Sequence, residues 1–374
     1  MPTPSLDVEQ VDDNEMAQWN LLSEVRDNFY YEQIDSIELI PLETSKDILI
    51  GQISNIYEVD SQLVVIDGTK SQRIFVFDKS GHFLRTIGTK GKAKDEYQSK
   101  HDIRLNDEKV QFTDWLNGSL YSYNLNGEVD FIHHFEKGHP ENAVFVNDSV
   151  ILCSFAGYYD FHPFRLEWHN TGDSVLHSAL PYETSRPTTA PELLITKSGK
   201  IMCYYNLSGI VYEVGADYIK ASINTGLYQT DEVSEFMKQT DSETEREYMA
   251  SMYSNDSEGI TNYLHLTEMD SNWYVEFQKA GKAYISIVDK ESNQAYTYVR
   301  SDIVDKKLYI PFIVTSSYGD YLLTYLDESN IEYLDDQTRQ CLENVLSEKD
   351  QNVLKSYDFD SGNPLLCRIH IKGK

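Results

Sequence analysis

The segment Ala156–Pro163, which reads Ala-Gly-Tyr-Tyr-Asp-Phe-His-Pro, concentrates residue types that bind small polar molecules. Tyr158 and Tyr159 offer aromatic faces with hydroxyl groups, and Asp160 and His162 offer hydrogen-bonding groups. Together they could form a polar aromatic rim for a sugar or a peptide. The same tyrosine rings could instead only pack the loop onto its sheet, and the sequence leaves both interpretations open.

Other candidate binding residues fall in loops that the repeat described below places on the same face. Trp115 follows Asp114 directly, and an indole beside a carboxylate combines an apolar surface with polar groups. The candidate ligand-binding set is Arg73, Tyr97, Asp114, Trp115, Tyr158, Tyr159, Asp160, His162 and Arg186.

Motifs for catalysis and metal binding are missing from the sequence. There is no Gly-x-Ser-x-Gly elbow, His-Glu-x-x-His motif, P-loop or Gly-x-Gly-x-x-Gly. His133 and His134 are neighbours on a predicted strand, so their side chains should point to opposite faces and not share a metal. The segment that starts at Asp358 begins like a calcium loop, but its twelfth position is Ile369 where glutamate is needed, which favours a plain turn. We therefore predict no catalytic residue, metal ligand or cofactor.

The elements that must position these residues repeat along the chain. The clearest unit spans 53–87, where four runs rich in β-branched and aromatic residues alternate with turn residues, a pattern typical of four antiparallel strands. Three similar units follow, and the glycine of the third turn recurs at Gly81, Gly127, Gly172 and Gly215, 43 to 46 residues apart. This spacing indicates the blades of a β-propeller.

The last two units complete a ring of six. The fifth begins at Tyr263, and the sixth takes its strands from 308–312, 321–325 and 365–371. Its fourth strand is available in 36–42, which would close the ring and remove free sheet edges. We therefore predict an all-β fold: a six-bladed β-propeller of four-stranded antiparallel blades over residues 34–374, closed by an N-terminal strand and preceded by a partly helical extension over 1–33.

Two stretches with helical spacing interrupt the strands, at about 228–256 and 329–348. The first contains the capping box Ser242-x-x-Glu245, and the second carries Ile331, Leu342 and Val345 along one stripe. Because successive strands alternate in direction, both insertions should lie on the face that also carries the loops between blades. Elaborate loops on one face and tight turns on the other suggest that binding occurs on this loop-rich face.

Three segments resemble a known family. They are Ile37-Glu-Leu-Ile-Pro-Leu-Glu-Thr, Phe77-Asp-Lys-Ser-Gly-His-Phe, and Ile87-Gly-Thr-Lys-Gly-x-x-x-x-Glu-Tyr. They are similar to the six-bladed, NHL/TolB-like propeller proteins abundant in gut Bacteroidetes, over nearly the whole chain and most strongly over 34–135. The family's Gly-x-Gly-Pro-Gly-Glu-Tyr loop is retained here only at Gly91, Glu96 and Tyr97. The resemblance implies an exported protein, often a lipoprotein, and implies no particular reaction.

Charge and composition restrict the partners. With 61 acidic and 32 basic side chains the formal net charge is −29, which disfavours nucleic acid and anionic membrane surfaces. No apolar run is long enough for a transmembrane helix. The first residues lack the basic start and apolar run of a signal peptide, so the chain is either cytoplasmic or has lost a leader, with a lipid anchor as one outcome. The cysteines Cys153, Cys203, Cys341 and Cys367 form no paired motif.

The function we predict is that of a non-enzymatic ligand-binding, protein-binding or scaffold propeller, monomeric and located in the periplasm or at the cell surface. It would bind an unknown protein or carbohydrate through the loop-rich face, in glycan uptake or sensing. The alternative is a glycan lyase or hydrolase, or a lactonase-like hydrolase, with its site in the central channel. The first strands of the blades offer that channel Asp102, Arg104, His265 and Glu268. A third interpretation makes the helical insertions an oligomer interface.

Overall fold

The structure is a computed structural model that describes residues 5–9, 11–12, 14–26, 29–69, 71–106, 108–136, 139–156, 163–182, 190–205, 208–227, 261–279, 282–301, 314–332 and 336–372. The N-terminal part contains two short strands, a short helix and one longer strand: β1 (Ala17–Gln18), β2 (Val25–Arg26), α1 (Phe29–Gln33) and β3 (Ile34–Ile40). The first predicted helical insertion, at about 228–256, lies outside these residues.

Blades 1 to 3 are each a sheet of four consecutive antiparallel strands. Blade 1 comprises β4 (Ile53–Val59), β5 (Gln62–Asp67), β6 (Ile74–Asp78) and β7 (Phe83–Ile87). Blade 2 comprises β8 (His101–Asn106), β9 (Lys109–Asp114), β10 (Ser119–Asn124) and β11 (Val129–His134). Blade 3 comprises β12 (Asn142–Asn147), β13 (Val150–Ser154), β14 (Phe164–Asn170) and β15 (Val175–Pro181).

Blades 4 and 5 follow the same plan with β1 and β2 added at their outer edges, and blade 6 takes its fourth strand from the N-terminal part. Blade 4 comprises β16 (Glu192–Ile195), β17 (Ile201–Tyr204), β18 (Ile210–Val214) and β19 (Ile219–Asn224). Blade 5 comprises β20 (Thr261–Glu268), β21 (Asn272–Lys279), β22 (Lys282–Asp289) and β23 (Ala295–Ser301). Blade 6 comprises β24 (Ser316–Tyr318), β25 (Tyr321–Leu326), β26 (Leu365–Ile371) and, from the other end of the chain, β3.

The predicted ring closure is confirmed. β3 pairs antiparallel with β26, with Ile37 opposite Ile369 and Leu39 opposite Cys367. A buried apolar cluster lies at each of the six interfaces between neighbouring blades of the described chain. Each buried aliphatic or aromatic side chain contributes about 1.5–3 kcal/mol relative to exposure, so these interfaces supply most of the stabilisation. The all-β propeller of six four-stranded blades is therefore the observed fold.

The inner strand of blade 6 differs from the predicted one. We expected it at 308–312, which lies outside the described residues, and the strand that pairs with β25 is β24. Tyr318 lies opposite Tyr321, so a two-residue turn joins the strands, and Gly319 in that turn has φ +62°. The segment Ser316-Ser317-Tyr318 is short and poor in β-branched residues, so it carries little strand signal.

Three helices lie between the second and third strands of blade 6: α2 (Glu328–Glu332), α3 (Asp336–Val345) and α4 (Glu348–Ser356). The helical segment therefore extends past 348, the end that we expected. Leu342 is fully buried, and Ile331 and Val345 pack against the same cluster, as their helical spacing predicts. No helix among the described residues has the length and apolar character needed to cross a membrane.

The recurring glycine occupies one turn position in only two blades. Gly81 and Gly127 have φ of +86° and +89°, and each donates its N–H to the residue three positions earlier. In blade 3 the equivalent position is Asp173, with φ +61°, so Gly172 lies one residue too early. Asparagine and aspartate tolerate this left-handed region better than most residues, which explains how the turn survives without glycine.

Candidate functional site

The inner strands of the blades surround a central cavity of about 730 Å³. Residues of β4, β8, β16, β20 and β24 line it, and it extends to the turns that join the first and second strands of the blades. Alternate residues of an inner strand face the channel, which brings polar side chains from different blades together. We call this cavity the channel site. Its principal polar and aromatic members are Asn55, Tyr57, Asp102, Arg104, Glu192, Tyr204, His265 and Glu268.

Arg104 is the buried cation of the channel site. It is only 7% exposed and forms an ion pair with Asp102, two residues earlier on β8. Asp102 Oδ2 lies against Nη2, whereas Nη1 donates a hydrogen bond to no acceptor in the described part of the chain. Burial lowers the pKa of Arg104 to about 10, and the nearby Tyr57 and Glu192 raise it again in part. The guanidinium is therefore charged at neutral pH.

Tyr57 and Asn55 line the channel site from blade 1. The Tyr57 hydroxyl donates to the carbonyl oxygen of Ile103 at 2.5 Å, and Asn55 Nδ2 lies 3.4 Å from the same hydroxyl. Burial raises the pKa of Tyr57 to about 12, although Arg104 acts to lower it. The phenol is therefore neutral and held in place, and it lines the cavity beside the Asn55 amide.

Glu192 belongs to the opposite part of the ring, at the start of β16 in blade 4. Burial raises the pKa of its carboxyl group, and the positive charge of Arg104 opposes the increase. Tyr204 lies directly opposite Glu192 on β17, and its hydroxyl accepts the N–H of Leu266 at 3.4 Å. Asp102 is held in an ion pair, whereas the Glu192 side chain is exposed at the cavity wall and has a carboxyl pKa raised by partial desolvation, so the two carboxyl groups occupy different environments within one cavity.

His265 enters from blade 5. Its Nε2 lies 3.1 Å from the Thr267 hydroxyl, and burial lowers its pKa to about 4. At neutral pH the imidazole is uncharged, so its two ring nitrogens are one donor and one acceptor, and Nε2 already interacts with Thr267.

Ion pairs surround the end of the cavity near the turns. Lys197 Nζ contacts Asp270 Oδ1 at 2.6 Å and the carbonyl oxygen of Gly319 at 3.0 Å, which links the turns of blades 4, 5 and 6. Glu268 accepts the backbone N–H of Lys197 at 2.6 Å and pairs with Lys290 at 2.6 Å. These contacts hold the mouth of the channel in place, so Glu268 is occupied by structural bonds.

A smaller cavity of about 230 Å³ meets the channel site from the loop-rich face and shares Asn55 and Asp102 with it. Lys100 and His101 line its other side. Burial lowers the pKa of Lys100 to about 8, and its Nζ donates to the carbonyl oxygen of Asp67 at 3.2 Å.

Two residues of the predicted binding set form structural contacts within the loops. Tyr97 is fully buried, its ring packs edge-on against Phe112 with centroids 5.2 Å apart, and its hydroxyl donates to the carbonyl oxygen of Gln72 at 2.9 Å. Asp114 is also fully buried. It accepts hydrogen bonds from backbone or side-chain groups of Gln98, Ser99, Leu116 and Asn117.

Two other predicted binding residues lie at exposed positions of separate loops, and the rest of the set lies outside the described residues. Arg73 is exposed and donates from Nη1 to the carbonyl oxygen of Asp47 at 3.2 Å. Trp115 is 52% exposed and stands beside the exposed Leu116. The remaining members lie outside the described residues: Tyr158, Tyr159, Asp160, His162 and Arg186.

Sequence reasoning named Asp102, Arg104, His265 and Glu268 for the channel and missed Asn55, Tyr57, Glu192 and Tyr204. The spacing of two residues from Asn55 to Tyr57, which repeats from Asp102 to Arg104, is a signal that could have found the first pair. Glu192 opens its strand directly after Pro191, and Tyr204 lies on a second strand. Neither residue therefore belongs to a run of polar residues at alternate positions of an inner strand, which is the sequence signal for a channel residue.

His133 takes part in a buried network between blades 2 and 3. Its Nε2 lies 3.6 Å from Asp173 Oδ1, which also contacts His169 Nδ1 at 3.1 Å, while His169 Nε2 lies 3.1 Å from Glu167 Oε2. His134 is exposed on the other side of the strand, as the alternation predicts. Across the described ranges, no group of three or more His, Cys, Asp and Glu side chains is arranged to hold a metal ion.

Residues 24–367 match the family described as Domain of unknown function (DUF4934), and the chain belongs to that family. The fold is similar to that of a Bacteroides fragilis NCTC 9343 protein that is proposed to be exported, with a TM-score of 0.73 and 18% identity over 96% of this chain and 100% of that chain. It is also similar to a member of the duf4221 family from Bacteroides vulgatus ATCC 8482, with a TM-score of 0.54 and 12% identity over 91% of this chain and 99% of that chain.

Both similarities fall below 25% identity and establish the fold alone. A streptogramin B lyase reaches a TM-score of 0.42 and 9% identity over 77% of this chain and 79% of that chain, which supports no argument about activity. No curated protein matched the sequence. The chain is therefore a six-bladed propeller of the DUF4934 family, with structural relatives in Bacteroides.

Proposed function

We propose that this protein is a binding propeller that takes a small polar ligand, a carbohydrate, into the channel site. The observation that carries the proposal is the convergence of Asn55, Arg104, Glu192 and His265, from four different blades, on one cavity of about 730 Å³. Ligand cavities usually have volumes of roughly 300–1,000 Å³ and a few converging polar groups. The channel site therefore suits a ligand of one or two sugar rings.

Carbohydrates carry hydroxyl groups that both donate and accept hydrogen bonds, so their sites need both kinds of partner. Arg104 supplies donors, Glu192 supplies acceptors, and Asn55 and His265 supply both. The rings of Tyr57 and Tyr204 add apolar surface for the C–H faces of a sugar. The Tyr97 hydroxyl and the Asp114 carboxylate already form hydrogen bonds within the loops, which favours the channel over the loop-rich face as the place of binding.

We further propose that the protein works outside the cytoplasm as an NHL/TolB-like propeller, tethered by a lipid anchor when a leader is present, in glycan uptake or sensing. The fold similarity to a Bacteroides fragilis protein that is proposed to be exported is consistent with this setting. The net charge of −29 agrees with a well-solvated carrier that does not bind nucleic acid.

Isothermal titration calorimetry with D-glucose, D-galactose, D-glucuronate and D-galacturonate tests the channel. Asn55→Leu replaces the amide with an apolar side chain of similar size, and we expect it to weaken binding of any sugar that binds by at least about tenfold. Trp115→Ala is the matched control on the loop-rich face and should leave the affinity unchanged. Binding that survives Asn55→Leu and is lost with Trp115→Ala would move the site to the loop-rich face.

A second candidate function is cleavage of a glycoside in the same cavity. It is favoured by Asp102 and Glu192, two carboxyl groups whose environments differ because one is ion-paired and the other has a pKa raised by burial. Glycosidases use such a pair as an acid and a base or nucleophile. Release of 4-nitrophenol from aryl glycosides, and its loss in Glu192→Gln, would support catalysis. Sugar binding without any release of 4-nitrophenol would contradict catalysis and support the binding function.

A further inference from the structure

The least satisfied group of the channel site is the guanidinium of Arg104. It is buried at the centre of the ring, and its Nη1 atom has no hydrogen-bond acceptor within the described ranges, while its Nη2 atom lies against Asp102 Oδ2. An arginine has five N–H donors in a planar fork, and burying such donors without partners is strongly unfavourable. Asp102 offsets the charge through a single oxygen against Nη2, which carries two N–H groups, and it leaves Nη1 unbonded.

A group with two acceptor oxygens in one plane would complete this arrangement. Carboxylates bind arginine through two parallel N–H···O bonds, and such charge-assisted pairs are about twice as strong as neutral hydrogen bonds. The neutral hydroxyl of a simple sugar can supply only one weaker acceptor at a time. We therefore infer that the ligand of the channel site is an acidic sugar whose carboxylate binds the Nη1 and Nη2 atoms of Arg104, an inference that rests on the proposed carbohydrate-binding function.

The surroundings of Arg104 favour a single negative charge over a dianion. Asp102 lies against the guanidinium, and Glu192 is close enough to affect its titration. A phosphate ester carries up to two charges at neutral pH and would be repelled by both carboxyl groups. No helix of the described chain lines the cavity, so no helix N-terminus compensates for that repulsion.

The remaining members of the channel site suit the rest of such a sugar. Asn55 and the neutral His265 can both donate to and accept from ring hydroxyls, and the rings of Tyr57 and Tyr204 flank the cavity. Because these groups carry no charge at neutral pH, they would bind an acidic sugar and its neutral counterpart equally well. Arg104 is then the group that distinguishes the two sugars.

Calorimetric titration of two matched pairs, D-glucuronate with D-glucose and D-galacturonate with D-galactose, tests this inference. The members of each pair differ at C6, where the acid has a carboxylate and the neutral sugar a hydroxymethyl group. We expect one acid to bind at least about tenfold more tightly than its neutral partner, as a charge-assisted bidentate pair implies. Arg104→Gln should abolish that difference, because it removes the bidentate pair that only the acid forms, and it should weaken binding of the acid at least about tenfold more than binding of the neutral sugar.

Arg85→Gln is the matched control, since it also removes one arginine charge. Arg85 lies on β7 and donates to the carbonyl oxygen of Leu125 and to Gln62, away from the residues of the channel site. It should leave the preference for the acid unchanged. Glu192→Gln provides a test that keeps Arg104: it removes a competing carboxylate, so we expect the affinity for the acid to increase about three- to tenfold. Thermal unfolding monitors whether each variant is folded.

The outcomes separate the inference from the proposed function. A neutral sugar that binds as tightly as its acid, in a manner lost with Asn55→Leu, contradicts the acidic ligand and leaves carbohydrate binding in place. A preference for the acid that survives Arg104→Gln, or that disappears with Arg85→Gln, contradicts the role of Arg104. Failure of all four sugars to bind the folded wild-type protein contradicts both proposals.

Discussion

Asp114 has the most hydrogen bonds of the predicted binding residues that the structure describes, and they identify it as a structural residue. It ends the second strand of blade 2 and accepts from the turn that follows and from Gln98 and Ser99, just before β8. A buried carboxylate with several donors stabilises a loop without needing a ligand. Asp67 occupies the same position in blade 1 and accepts from Gln52, Thr69 and Ser71.

Replacing Asp114 by alanine should lower the free energy of unfolding by about 2–4 kcal/mol, because several buried donors lose a charged acceptor. Urea unfolding followed by tryptophan fluorescence measures the change. Asp148→Ala, at an exposed turn of blade 3, should alter stability by less than about 0.5 kcal/mol. A loss below about 1 kcal/mol for Asp114→Ala would show that the loop does not depend on this carboxylate.

The pKa of Asp67 makes the same motif sensitive to acid. Burial is the largest influence and raises this pKa, but the hydrogen bonds from Ser71, Thr69 and Gln52 together exceed it, so the net pKa lies below the ordinary 3.8. A carboxyl group whose pKa is lower in the folded protein stabilises it above the unfolded pKa, and this contribution is lost as pH falls through the folded value.

We therefore expect the stability difference between wild type and Asp67→Asn to be constant from pH 7 to about pH 5 and to shrink below about pH 4. Urea unfolding at a series of pH values measures it. Ser71→Ala tests the cause, because it removes the hydroxyl that donates to Asp67 at 2.6 Å and lowers its pKa, and it should shift the decline to higher pH. A difference that stays constant at lower pH would show that the ionised carboxylate contributes nothing.

Among the elements, helix α4 holds the strand that closes the ring. Asp350, in its first turn, is buried and accepts the backbone N–H of Leu39 on β3 at 3.1 Å. The same side chain pairs with Ser347, the N-cap residue of α4. The outer edge of β3 would otherwise present unpaired N–H groups, which is the usual hazard of an edge strand. The helical insertion therefore protects the closure of the propeller.

Asp350→Ala should leave the Leu39 N–H without an acceptor and destabilise the protein by about 1–3 kcal/mol. Hydrogen exchange measured by mass spectrometry should show faster exchange in β3 and β26 than in blades 2 and 3. Asp350→Asn keeps an acceptor oxygen and should recover at least half of the loss. Equal effects of alanine and asparagine would contradict the role of this hydrogen bond.

The elements also show where sequence reasoning succeeds. Runs of β-branched and aromatic residues separated by turns predicted the strands of blades 1 to 5 and the closing strand, because burial on both faces of a blade requires those residues. β24 was missed because its pairing is determined by the turn at Gly319 and by its neighbours. The channel site was half missed because Glu192 and Arg104 are 88 residues apart and meet only through the ring. Contacts of that kind leave no local pattern.

At the scale of the whole molecule, the N-terminal segment runs along the outer edges of four consecutive blades. Ser5 bridges to Ser178 in blade 3, β1 pairs with β19 in blade 4, β2 pairs with β23 in blade 5, and β3 completes blade 6. The outer strand of a blade is otherwise a free edge. We call residues 5–40 the N-terminal belt, because they cover the outer edges of blades 3, 4, 5 and 6 one after another. The sequence does not indicate this arrangement, because β1 and β2, the two strands that precede β3, are only two residues long.

Trp19 is the main apolar contact of this belt. It is 2% exposed, its ring centroid lies 5.8 Å from that of Trp273, and its backbone N–H donates to the carbonyl oxygen of Asn224 at 2.9 Å, so it joins blades 4 and 5. Trp19→Ala should lower the free energy of unfolding by about 3–5 kcal/mol, the usual effect of removing a large buried side chain. Because the belt strands β1 and β2 lie on β19 and β23, hydrogen exchange should accelerate in those two strands while β4 to β7 of blade 1 keep their protection. Trp115→Ala, which removes an exposed indole, should change neither quantity. Faster exchange spread evenly over all six blades would mean that the propeller opens as one unit and that the belt does not stabilise particular blades.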